Sequence, residues 1–204
     1  MKKSLKRLVI DSASKFLYVA LYEGLECSGK YYAEGNNDHS VKLMSEIEKI
    51  FVSNNVKVKD LDEIIVGIGP GSYTGLRIGV VVVKMFAWND DIPVRTVSSL
   101  AMFASSSSYE GLILSEIDAR RGNSFLGLYR KTGKTLVLED KEKLTNLEEY
   151  KESIKDSYEI VSKGEPNIEV LLNSNVLTLV KDIHGLNPNY LRITEAERNL
   201  KQYI

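Results

Sequence analysis

Three apolar-rich runs open the chain, Leu5–Ile10, Phe16–Tyr22 and Glu26–Ala33, separated by the short polar joints Asp11-Ser12-Ala13-Ser14 and Glu23-Gly24. Runs of this length bounded by turn formers predict three strands in a meander. The rhythm then changes. Past Gly35-Asn36-Asn37-Asp38, the residues Leu43, Met44, Ile47, Ile50 and Phe51 recur at i, i+1, i+4, i+7 and i+8, one stripe of a helix over Ser40–Asn54. Ile64–Ile68 and Pro93–Val97 have strand length, and helices follow them at Gly75–Trp88 and Ser98–Ala104. The first half therefore reads βββαβαβα.

Ser105–Ser108 reads as a joint, after which a second series begins. Leu112–Ile117 and Phe125–Tyr129 flank the turn Asp118-Ala119-Arg120-Arg121-Gly122-Asn123, and Thr135–Leu138 extends the set to a third strand. Thr145-x-x-Glu148 and Thr194-x-x-Glu197 have capping-box spacing and predict helix starts, with a strand at Tyr158–Ser162 between them. Two similar halves with mixed strands and helices predict an α/β protein of two lobes, residues 1–104 and 105–204. The last helix, about 194–203, is expected to pack back on the first lobe.

The helix at Gly75–Trp88 is apolar on almost every side. Leu76, Ile78, Val80, Val81, Val82, Val83, Met85, Phe86 and Ala87 surround it, and only a strip through Arg77, Lys84 and Trp88 breaks the pattern. A helix apolar all round is buried, either inside its own core or between its own sheet and another subunit. Gly75-x-x-x-Gly79 also permits close backbone approach.

Composition adds limits rather than chemistry. Of 204 residues, 43% are hydrophobic and 27% charged, with a net charge of −1, so no strong basic field is available to hold nucleic acid unaided. The basic spots Lys2, Lys3, Lys6, Arg7 and Arg120–Arg121 read as solvated surface. Cys27 is alone, which excludes an intramolecular disulfide and fits a reducing compartment. Leu8-Val9-Ile10 falls short of a secretory core of ~7–15 residues, and Ile78–Val83 falls short of the ~20 that span a bilayer. A cytoplasmic protein without membrane contact is expected.

Candidate chemistry is sparse. Gly67-Ile-Gly69-Pro70-Gly71-Ser72-Tyr73-Thr74-Gly75 joins a strand to a helix, a place where backbone amides can meet an anion. It lacks the Gly-Lys-Ser/Thr of a Walker loop, the G-x-G-x-x-G of a dinucleotide site and the G-x-S-x-G of a nucleophile elbow. Spacing alone leaves a tight turn capped by Ser72 or Thr74. His39 and His184 stand apart with no second ligand at i+3 or i+4, and read as capping or surface residues. Asp11 and Asp118 each fit either a metal or phosphate contact or a turn.

Gly69-Pro70-Gly71-Ser72-Tyr73-Thr74-Gly75-Leu76-Arg77-Ile78-Gly79 resembles the signature of the TsaB (YeaZ) family. Leu8-Val9-Ile10-Asp11-Ser12, His39-Ser40, Asp118-Ala119-Arg120-Arg121-Gly122 and Pro188-Asn189-Tyr190-Leu191-Arg192 are similar to other segments of that family, in the same order. The resemblance implies a two-lobed fold of the actin/Hsp70/sugar-kinase (ASKHA) class, each lobe starting with a three-stranded meander. It implies an accessory subunit in making N6-threonylcarbamoyladenosine on tRNA, docking the catalytic subunit TsaD and working with the ATPase TsaE. It further implies self-association when alone and tRNA contact only through the complex. The docking residues it implies are Leu43, Met44 and Ile47 of the first helix, with Gly69, Pro70, Gly71, Ser72, Tyr73 and Thr74 of the loop before the second helix and Gly75, Leu76, Arg77, Gly79, Val80 and Val83 of that helix.

Two departures bear on chemistry. The catalytic paralogue carries Asn-His-x-x-x-His, whose histidines bind its metal; the matching positions here are Ser99 and Phe103. The class's phosphate turn Asp-x-Gly-Thr is Asp11-Ser12-Ala13-Ser14 here, leaving Asp11 and Ser12 as a vestigial nucleotide site. The expectation is a pseudo-enzyme that itself binds no cofactor or metal, with ATP and metal used by its partners. An ATP-dependent phosphotransferase is the alternative, and a peptidase has little support.

Overall fold

The structure is a computed structural model that describes residues 4–35 and 38–191. The meander forms as β1 (Lys6–Asp11), β2 (Phe16–Glu23) and β3 (Glu26–Glu34), paired antiparallel with Ile10 opposite Val19 and Val19 opposite Tyr31. Helix α1 (His39–Ser53) leads through a short 3-10 turn to β4 (Glu63–Gly67), which joins β1 in parallel. Helix α2 (Tyr73–Asp90) then precedes β5 (Val94–Val97), parallel to β4.

Strand alternation sorts this sheet's side chains into two cores. Leu8, Ile10, Val19, Ile64 and Val66 face α1 and α2, meeting Leu43, Ile47, Val80, Val83 and Phe86. Val9, Tyr18, Ala20 and Ile65 face the opposite way, toward α3 (Ser99–Ser106) and the second sheet. That second sheet is built from β6 (Gly111–Asp118), β7 (Asn123–Thr132), β8 (Thr135–Asn146) and β9 (Tyr158–Val161), in the order β8-β7-β6-β9. The molecule thus stacks the α1/α2 pair, the first sheet, α3 and the second sheet, with α3 buried between the sheets.

Three expectations change. β8 runs on through Glu139–Lys143 to Asn146, because an edge strand tolerates charge on its solvent side. Helix α4 (Leu147–Ser153) is capped by Asn146, whose Oδ1 accepts from the amides of Glu148 and Glu149, so Thr145 is not its cap. Beyond α5 (Ile168–Asn173), the chain leaves the second lobe altogether. β10 (Thr178–Leu179) pairs antiparallel with β5, giving the first sheet the order β10-β5-β4-β1-β2-β3. Val180, Ile183 and Leu186 then pack on the α1/α2 core, so residues after 173 do not belong wholly to the second lobe. The helix expected at 194–203 lies outside the described residues.

Two local features stand out. Glu63, 6% exposed, is held by Arg7 Nε at 2.7 Å and Arg95 Nε at 2.8 Å, three side chains from adjacent parallel strands. At the β6–β7 tip, Arg120, Arg121 and Gly122 have φ of 67°, 56° and 76°. The left-handed region costs a non-glycine residue about 1–2 kcal/mol. Among the described residues, no helix is long and apolar enough to cross a membrane.

Candidate functional site

The loop between β4 and α2 is packed against the turn after β1. Gly75 and Gly71 lie so close to that turn that a Cβ on either would overlap the carbonyl oxygen of Ser12 or Ala13. Ser12 Oγ donates to the Gly75 carbonyl (2.8 Å), and the Ser72 amide donates to the Ala13 carbonyl (2.6 Å). Ser72 Oγ accepts from the Gly75 amide and caps α2, the role left open between Ser72 and Thr74. Three amides that an anion would need are engaged: Gly69 to Ser99 Oγ, Ser72 to Ala13 and Gly75 to Ser72. Gly69 and Pro70 are buried, with Asn189 approaching Gly69 from the chain's far end.

Asp11 closes the strand ends. It is 5% exposed, and its Oδ1 accepts from the Ala13 amide (2.9 Å) and from Ser99 Oγ (3.1 Å). Burial pushes its carboxyl up to about 6, against the weaker downward pull of hydrogen bonds from Ala13, Ser99 and Ser12. Ser99 is fully buried, with its Oγ donating to Asp11 and accepting from the Gly69 amide, and Phe103 is a core residue in edge contact with Phe16. No group of three or more His, Cys, Asp or Glu placed to hold a metal occurs among the described residues. His39 is neither a cap nor a surface residue: it is buried as the first residue of α1, with Nε2 3.0 Å from the Ser14 carbonyl oxygen. His184 is exposed and meets Trp88 edge to face.

The outer side of the α1/α2 pair is different in character. Val41, Met44 and Val52 on α1, and Tyr73, Val81, Met85 and Trp88 on α2, are exposed. A run of large apolar side chains on two neighbouring helices is the kind of surface that proteins cover. Burial divides the expected docking set. Leu43, Ile47, Val80 and Val83 face the chain's own sheet, Leu76 is buried beside Gly69, Gly79 lies against Ser12 and Ile10, and Gly75 meets Ser12. Of the set, Met44, Ser72, Tyr73, Thr74 and Arg77 reach the surface, while Gly71 is half-buried. Apolarity on every side of α2 hid which side belonged to the sheet. On α1 the outer apolar residues Val41, Met44 and Val52 are interrupted by Glu48, so the stronger inner stripe masks them.

The returning chain borders this face. Lys84 Nζ donates to the carbonyls of His184 (2.6 Å) and Leu186 (3.1 Å). Tyr190 stacks on Tyr73 at 4.9 Å, and Arg77 lies 4.1 Å over the Tyr73 ring while its Nε donates to the Tyr190 hydroxyl. Ile183 and His184 join Val81, Lys84, Met85 and Trp88 around a shallow hollow of about 180 Å³.

Two mixed sheets with helices between and outside them, the first sheet led by a meander, define an ASKHA-like α/β protein. Solved structures share this fold: "YeaZ from Pseudomonas aeruginosa" aligns with a TM-score of 0.69 and 23% identity, covering 82% of this chain and 89% of that one. A second, a protein described as similar to peptidase YEAZ from Pseudomonas aeruginosa, aligns with a TM-score of 0.76 and 21% identity, over 92% of this chain and all of that one. The family model described as "TsaD: tRNA N6-adenosine threonylcarbamoyltransferase" matches residues 33–189. The tRNA threonylcarbamoyladenosine biosynthesis protein TsaB of Bacillus subtilis is 33% identical, over 93% of this chain and 95% of that protein. Its namesake in Escherichia coli is 26% identical over 61% and 54%. The chain belongs to the TsaB/YeaZ family.

Proposed function

We propose that this chain is the non-catalytic subunit of a tRNA threonylcarbamoyladenosine modification complex, docking a TsaD-like catalytic subunit through the outer side of α1 and α2. Involvement in this modification is supported by relatives named as tRNA threonylcarbamoyladenosine biosynthesis proteins. The observation that carries the docking reading is the exposed apolar stripe Val81–Met85–Trp88 on α2, together with exposed Val41 and Met44 on the neighbouring α1. The non-catalytic reading is supported by the strand ends, where Ser12, Ala13 and Ser99 occupy the donors and space of the Gly-rich loop. In the cytoplasm the chain acts with a TsaE-like ATPase, leaves ATP and metal to its partners, and meets tRNA through the complex. Without the catalytic subunit the same face pairs two copies of the chain.

Reconstitution tests the reading. Modification of tRNA by the catalytic subunit should require this chain in stoichiometric amount, and this chain alone should modify none. Val81→Glu and Met85→Glu should each abolish co-elution with the catalytic subunit while leaving a folded chain. Tight binding that survives both would place the interface elsewhere. Micromolar ATP–magnesium binding by the isolated chain, weakened by Asp11→Ala, would overturn the non-catalytic reading in favour of a phosphotransferase.

A further inference from the structure

The tip of the β6–β7 hairpin is built in an unusual way for what it carries. Three successive residues, Arg120, Arg121 and Gly122, take left-handed backbone angles. Glycine adopts these freely and asparagine readily, but arginine does not. The turn is fixed by the Ala119 amide on the Asn123 carbonyl (2.9 Å), the Asn123 amide on the Arg120 carbonyl (3.2 Å) and the Arg120 amide on Asp118 Oδ1 (2.7 Å). Asn-Gly would satisfy the same backbone at less cost.

Both guanidinium groups also lack a partner among the described residues. The other described arginines are engaged: Arg7 and Arg95 on Glu63, Arg77 on Tyr73 and Tyr190, and Arg130 on Glu139. Arg120 and Arg121 are exposed, and among the described residues their side chains make no ion pair, hydrogen bond or ring contact. The carboxylates nearest in the hairpin have other work, Glu116 accepting from Ser124 Oγ and Asp118 from the Arg120 amide. Strain kept at two positions whose side chains meet no partner among the described residues points to a contact beyond them.

The location narrows that contact. Ser115 Oγ donates to the Leu100 carbonyl in the first turn of α3, three positions before the end of β6 at Asp118. Ser99, beside Leu100, bonds Asp11 and Gly69. The tip therefore stands at the end of the molecule that carries the loop before α2. No large apolar side chain is exposed anywhere on β6, β7 or their turn. A protein contact of any strength needs a desolvated apolar centre. A phosphate backbone needs only forked donors in water.

We propose that Arg120 and Arg121 form a contact for the phosphate backbone of RNA, adding to whatever RNA surface the partner supplies. The proposal rests on the reading that the chain serves tRNA modification. With a net charge of −1 the chain has no general basic field to hold RNA, so the contact is a local one.

The test uses the full chain in complex with the catalytic subunit and unmodified tRNA as the probe. Arg120→Asn combined with Arg121→Gly suits the turn and keeps the hairpin. This variant should bind tRNA about 5- to 20-fold more weakly at moderate salt, with the slope of log affinity against log salt shallower by about 1 to 2. Co-elution with the catalytic subunit should be unchanged, and Arg120→Lys with Arg121→Lys should keep part of the affinity. Unchanged affinity and slope would overturn the proposal. So would RNA loss that merely follows weakened co-elution, which would make the tip a protein contact. A wild-type chain that adds no RNA affinity to the catalytic subunit also sinks it, whereas failure of the functional reading is read separately, as modification that needs no chain at all.

Discussion

The amide of Ser72 donates to the carbonyl oxygen of Ala13 across 2.6 Å, tying the loop before α2 to the turn after β1. Around this bond, glycines bring two backbones together where side chains would hold them apart. A loop of this composition is suited to receive an anion, yet here another piece of the same chain fills it.

Gly75→Ala tests that close approach with opposite signs. In an ordinary helix the change would stabilise by about 1 kcal/mol. At this position the new Cβ meets the Ser12 carbonyl oxygen, a backbone atom that cannot rotate away. Destabilisation of about 2–4 kcal/mol is therefore expected by urea denaturation. A stabilised variant would mean that the turn and the loop are not packed as described.

Asp11 links the same region to pH. Its folded-state value of about 6 lies above the ordinary 3.8, so the folded chain holds this proton more tightly than the unfolded one. The associated stability is full below the ordinary value, declines as pH rises through about 4 to 6, and is lost above that. Asp11→Asn keeps an acceptor for Ala13 and Ser99 without the buried charge. It should gain about 1–2 kcal/mol over wild type at pH 7.5 and nothing at pH 4. Equal stability curves at the two pH values for both proteins would show that the carboxylate is not desolvated.

Val80 and Val81 are neighbours in sequence on opposite sides of α2, at 3% and 54% exposure. Glutamate at 80 would bury a charge against the first sheet and should cost more than about 4 kcal/mol, enough to unfold the chain. Glutamate at 81 should shift stability by only about 0.5 kcal/mol. Circular dichroism melts of the two variants separate the side of α2 that packs on the sheet from its outer side.

Much of this organisation was legible in the sequence, and the failures have physical causes. The meander, α1, α2 and β4–β5 carry clear periodicity, and Ser72 sits where a cap belongs. α5, at six residues, and β10, at two, are too short for periodicity to register. The apolar pattern of β8 ends at Leu138, and the charged Glu139–Lys143 that follow are admitted because the strand lies at the sheet edge. At α2, a helix apolar all round does not disclose which residues face its own sheet. That orientation is set by Val80, Val83 and Phe86 meeting the sheet, a tertiary fact.

The Arg7–Glu63–Arg95 arrangement offers a final test, this time of what holds the parallel strands at the end away from the loop. Glu63 begins β4, flanked by Arg7 on β1 and Arg95 on β5, and its side chain is 7% exposed. Arg7 is itself largely covered at 12%, whereas Arg95 is half in solvent at 39%. Removing the carboxylate leaves two cations side by side, one of them buried, with no counter-charge between the strands. Glu63→Gln should therefore cost about 3 kcal/mol or more. Arg95→Ala should cost under about 1 kcal/mol, because water already screens that arm. Replacing both Arg7 and Glu63 by methionine removes the buried pair without stranding a charge, and should recover most of what Glu63→Gln loses. If Glu63→Gln and Arg95→Ala proved equally mild in urea titrations, the triad would be a surface contact and the strand order would rest on apolar packing alone.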